Sequence, residues 1–87
     1  MKFRCKVNHH FMLIPANIDK MPPPKIAACS ELDRTIGVIV ESKSKNTSDY
    51  IKPAIAKAKW LLGKLELKPG ERLDYESWNV VYMEEVG

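Results

Sequence analysis

The sequence is informative first in what it is short of. It contains no run of about 18 apolar residues, the length a membrane-spanning helix needs, so no membrane contact is expected. Its opening, Met1-Lys2-Phe3-Arg4-Cys5-Lys6, alternates charged and apolar residues and lacks the apolar centre of a signal peptide. Two cysteines, Cys5 and Cys29, are too few for a disulfide framework. Both are expected to be reduced thiols in a cytoplasmic protein. The four glycines form no phosphate-cradling loop. Neither sign of charge is in strong excess: 14 Lys and Arg against 11 Asp and Glu give a net +3. That balance falls short of the strong bias of a dedicated nucleic-acid binder.

Catalytic and metal-binding patterns are also missing. Cys5, His9, His10 and Cys29 are the candidate ligands, but Cys-x3-His-His matches no usual zinc spacing. Adjacent histidines on a strand point to opposite sides. Their simplest reading is a hairpin tip with exposed imidazoles. A nucleophilic pair of Cys29 with His9 or His10 lacks any accompanying oxyanion hole or helix N-terminus. Glu31 and Asp33 read as turn formers rather than an acid–base pair. No cofactor, no metal and no enzymatic activity is expected.

What is present fits one small α+β domain over residues 1–87. Hydrophobic residues make up 45% of the chain, which argues against disorder. Phe3, Cys5 and Val7 alternate with Lys2, Arg4 and Lys6, the period of a half-buried strand. A hairpin turning near Asn8 would lead into Phe11-Met12-Leu13-Ile14. Pro22-Pro23-Pro24 predicts an extended connector. Ile26–Cys29 reads as a short strand or turn and residues 30–33 as a loop. Thr35–Glu41 is β-branched nearly throughout and predicts a central strand. Residues 71–77 read as a loop, and Trp78–Val86 as the last strand, with Trp78, Val80 and Tyr82 on one side. The expectation is a small antiparallel sheet of three to five strands with one amphipathic helix packed on one face.

The helix is predicted from a cap at Ser48 or Asp49 to about Leu67, with Pro53 near its first turn. At 100° per residue, Ile51, Ala54, Ile55, Ala58, Leu61, Leu62 and Leu65 form one apolar stripe. Trp60 lies roughly opposite, flanked by Lys57 and Lys64, with Lys52 and Lys59 extending the same surface. Either another segment, the prolines or residues 71–77, covers this indole, or Trp60 is an exposed anchor of the kind enriched at binding hot spots. The predicted contact surface is therefore Trp60 with Lys52, Lys57, Lys59 and Lys64.

These features point to a non-catalytic protein-interaction module. A small regulator or inhibitor of phage or mobile-element type, occupying a surface of a larger protein or protein–nucleic acid complex, fits them. The alternative is a small nucleic-acid-binding module using the lysine-rich helix face. A third reading is a homo-oligomeric structural subunit, such as a dimer joined through Trp60 or through a free edge strand at 2–7 or 78–86.

Overall fold

A computed structural model describes all 87 residues. Three long strands, β1 (Lys2–Ile14), β2 (Ser30–Glu41) and β3 (Arg72–Glu85), form an antiparallel sheet in the order β2-β1-β3. One helix, α1 (Thr47–Leu62), packs against it, giving the α+β architecture that the sequence implies. Short 3-10 turns at Ile18–Lys20 and Lys25–Ala28 bracket the three prolines, which stay exposed.

The first strand differs from the expected hairpin. β1 runs unbroken through Asn8-His9-His10 and is paired on both sides, Asn8 with Thr35 and Asn79, His9 with Arg34 and Trp78. Its length is set by alternation: Phe3, Cys5, Val7, His9 and Phe11 are all buried and share one face. Because β1 takes the centre, residues 2–7 are not a free edge, and the strand containing Thr35–Glu41 is an edge rather than central. Residues 30–33 and 72–77, expected to be loops, extend β2 and β3 along the far half of β1. Residues 26–28 lie in a 3-10 turn, not a strand. In β3 the pairing jumps from Lys6↔Tyr82 to Val7↔Val80, leaving Val81 as a bulge. The bulge shifts the alternation, so Met83, not Tyr82, joins Trp78 and Val80 against the core.

The helix ends at Leu62, five residues before the expected Leu67. Gly63 adopts φ of 69° and its N–H donates to Lys59 O at 3.0 Å, a left-handed stop that a glycine accepts without steric cost. Asn46 occupies the N-cap position ahead of Ser48 and Asp49, and Pro53 is accommodated inside the helix. The buried face consists of Tyr50, Ala54 and Ala58, with Ile51 and Ile55 half-buried at its flanks. Leu61, placed on the apolar stripe by its spacing, is 47% exposed, and Leu65 lies beyond the helix. Ala54 and Ala58 have no exposed surface, and the sheet residues Phe3, Cys5, Val7, Val38 and Val40 share their cluster. Tyr50 meets Phe3 with ring centroids 5.5 Å apart.

Length decides what the helix leaves uncovered. Thirteen residues of strand extend about 43 Å at 3.3 Å each, whereas sixteen residues of helix extend about 24 Å. The helix starts over Phe3 and ends beside Arg34, whose Nη2 donates to Gly63 O at 3.3 Å. The molecule is correspondingly elongated, 53 × 21 × 16 Å. The chain from Gly63 to Glu71 runs on in the same direction along the uncovered part and turns at Gly70, next to Ala16, before β3 starts back from Arg72 opposite Ile14. At Gly70 φ is 79°, and a Cβ would sit 2.7 Å from Ala16 Cβ, so both torsion and space require glycine. No helix is long and apolar enough to cross a membrane.

Because the cluster is thin, its largest fully buried member should matter most. Phe3→Ala is expected to cost about 3–5 kcal/mol, and Ala54→Leu about 1–3 kcal/mol through overpacking. Both are read from the midpoint of urea unfolding. A midpoint unchanged by either substitution would contradict the helix-on-sheet packing.

Candidate functional site

Beyond the helix terminus a groove of about 560 Å³ opens between α1, the segment that follows Gly63 and the sheet. Its floor comes from the same alternation that builds the core. On β1 the row Phe3, Cys5, Val7 continues to His9. On β2 the row Val40, Val38, Ile36 continues to Arg34. On β3, Trp78 and Glu76 follow Val80. Three polar residues thus stand at positions that alternation assigns to the interior, at the level where the helix stops.

They satisfy one another. His9 is only 1% exposed, and its imidazole stacks on the Trp78 indole at 3.8 Å with the planes 9° apart. Phe11 lies at 4.7 Å from the same ring. Arg34 Nε–H donates to His9 Nδ1 at 2.9 Å. That bond makes Nδ1 an acceptor, so Nε2 carries the proton and donates to Glu76 Oε2 at 2.7 Å. Arg34 also reaches Gly63 O, complementing the partial negative charge of the helix C-terminus. Its guanidinium carbon lies 5.8 Å from the Trp78 ring centroid and 5.9 Å from that of Phe11. The result is a neutral histidine clamped between a cation and a carboxylate. Burial pushes its pKa down and the Arg34 charge adds to that, against the opposing pull of Glu76.

The predicted contact residues separate. Trp60, Lys59 and Lys64 line the groove, together with Leu65, Leu67 and Leu73. Trp60 is 79% exposed: neither the prolines nor residues 71–77 cover it. Lys59 Nζ sits 5.5 Å from the Trp78 ring centroid, a cation–π distance. Lys57 turns away and donates from Nζ to Ile39 O at 2.6 Å. Ile39 is on edge strand β2, so this lysine occupies a backbone acceptor that a second strand could use. Lys52 is exposed and lines no part of the groove.

The histidines do not form an exposed tip. His10 faces the open side of the sheet, where Nδ1 lies 2.9 Å from Asp33 Oδ1 and Nε2 lies 3.1 Å from both Glu31 Oε1 and Tyr75 Oη. Tyr75 Oη–H in turn donates to Glu31. Hydrogen bonds to Asp33 and Glu31 raise the His10 pKa; the bond from His10 lowers that of Asp33, and the bonds from Tyr75 and then His10 lower that of Glu31. Cys5 is buried on the helix side, and burial raises its thiol pKa, which keeps it a poor nucleophile. Cys5 and Cys29 are both free. No three His, Cys, Asp or Glu side chains share a geometry that could hold a metal ion. The acidic residues at the C-terminal end find bases on other elements: Arg4 Nη1 meets Glu84 Oε1 at 2.6 Å and Lys45 Nζ meets Glu85 Oε2 at 3.7 Å.

Comparison with protein-family models, with curated proteins and with solved structures finds no match to this chain.

The two histidines are expected to titrate on opposite sides of the ordinary imidazole value of 6.5, His9 below and His10 above. His10 binds its proton more tightly folded than unfolded. It therefore stabilises the fold below 6.5 and loses that contribution as pH rises through its higher folded value. His9 runs the other way, because acidification below 6.5 protonates the unfolded chain first. A two-dimensional NMR titration, assigned with His10→Gln, measures both; coincident titration near 6.5 would contradict the two networks.

Proposed function

We propose that the chain is a non-catalytic protein-interaction module that works in the cytoplasm as a small regulator of a larger assembly, with Trp60 as the anchor of its contact. The observation that carries this reading is the exposure of the Trp60 indole on the rim of an apolar-walled groove. Leaving an indole in water wastes a large apolar area, and Trp is among the residues most enriched at binding hot spots. The indole is presented from the last turn of α1 and Leu73 from β3, beside the bonded His9, Arg34 and Glu76 of the floor. Nothing around either cysteine or histidine assembles a nucleophile with its base and an oxyanion site, which favours binding over catalysis.

A second reading, binding of single-stranded nucleic acid, draws on Arg34, Lys59 and Lys64 around the same indole. The two readings separate on salt. Phosphate binding weakens with a log–log slope near the number of ion contacts, and a tryptophan-anchored protein contact has a shallower one.

Affinity capture from nuclease-treated extract of the source cell, quantified for wild type and Trp60→Ala side by side, tests the reading. A hot spot costs at least about 2 kcal/mol on truncation, so the genuine partner should fall about 30-fold or more in the variant. Equal recovery by both proteins would refute the anchor.

A further inference from the structure

We propose that the groove receives an acidic segment of a partner protein, one that carries a large apolar side chain between carboxylates. This deepens the interaction reading above and rests on it. The groove has the volume of a pocket that encloses a few side chains. Its apolar part is Trp60 with Leu65, Leu67 and Leu73, which suits a leucine or phenylalanine.

Its charge is one-sided once internal partners are subtracted. Three cations line it, Arg34, Lys59 and Lys64, against one carboxylate, Glu76. Glu76 is engaged by His9 Nε2–H. Arg34 gives Nε–H to His9 and one Nη2 donor to Gly63 O. A guanidinium has five N–H donors in a fixed fork, so Arg34 retains donors for a carboxylate while its position is held by the two internal bonds. Lys59 and Lys64 form no ion pair within the chain.

A peptide fits this site better than a nucleic-acid strand does. Stacking platforms need open aromatic faces in succession. Trp78 has one face on His9 and the Arg34 and Lys59 cations within 6 Å of its ring centroid, so Trp60 is the one widely exposed indole. The leucines offer no stacking surface.

The test uses three defined probes against the full chain: an octapeptide with Leu-Phe flanked by Glu and Asp, its counterpart with lysine in place of every acid, and an octamer of thymidylate. Binding is followed by heteronuclear NMR shifts and by titration calorimetry. The acidic peptide should bind, shift the Trp60 and Trp78 indole signals, and weaken about tenfold with Lys59→Glu and again with Lys64→Glu. Lys43→Glu, at the opposite end of the helix, should leave its affinity unchanged. Lys59→Glu/Lys64→Glu together should reverse the preference toward the lysine peptide. The proposal is overturned if no peptide binds, if both peptides bind equally, or if thymidylate binds more tightly than the acidic peptide. Should Trp60→Ala abolish partner capture while the acidic peptide fails, the protein contact stands and only its acidic character falls.

Discussion

β1 is hydrogen-bonded to a strand on each side along nearly its whole length, and that double pairing constrains everything else. A strand turns successive side chains to opposite faces, so the parity of Phe3 fixes the side of every later residue on the strand. With Phe3, Cys5 and Val7 against the helix, His9 and Phe11 must follow, and Lys2, Arg4, Lys6 and His10 must face the other way. A slip of one residue would turn five charged or polar groups, Lys2, Arg4, Lys6, Asn8 and His10, inward and expose the core row. The hydrophobic pattern therefore fixes which face of β1 is buried from Phe3 to Phe11 without help from a tight turn.

The groove is a consequence of mismatched lengths. The sheet is nearly twice as long as the helix, and Gly63 stops the helix where the apolar rows on the sheet give way to His9, Arg34 and Glu76. A fully buried imidazole without partners would be costly. Here both ring nitrogens are bonded and one ring face lies on Trp78, so the polar patch is rigid as well as tolerated. Arg34 does two further things: it meets the carbonyl end of the helix and it brings a cation to the groove. Lys59 and Lys64 add two more beside the exposed indole.

Much of the architecture was legible from residue order. Thr35–Glu41, Trp78–Glu85 and the helix through Ala54 and Ala58 all lie in the elements that their patterns imply. The off-core position of Trp60 followed from its angle relative to Ile51, Ala54 and Ala58. Two local signals misled. Asn8-His9-His10 looks like a turn because polar residues interrupt an apolar alternation, yet His9 keeps the parity of Val7 and Phe11. Its polarity is absorbed by partners 25 and 67 residues away, which no local window reveals. Continuing the period of two past its first polar member would have found all three floor residues, since Arg34, Ile36 and Val38 share parity, as do Glu76, Trp78 and Val80. Gly63 was the second: it falls inside the helix expected to reach Leu67, yet it is the residue that ends the helix. The bulge at Val81 has no sequence mark, and the place of Tyr82 could not be read without it.

The account stands on β1 being one continuous central strand through His9. Native-state amide hydrogen exchange tests that directly. Every β1 amide in the run Cys5 to Phe11 lies between two partners, so Asn8, His9 and His10 should show protection comparable to Cys5 and Val7 and should open only in the same large-scale unfolding. Rapid exchange confined to residues 8–10, the signature of a turn at that point, would remove the floor of the groove and the basis of the proposed contact.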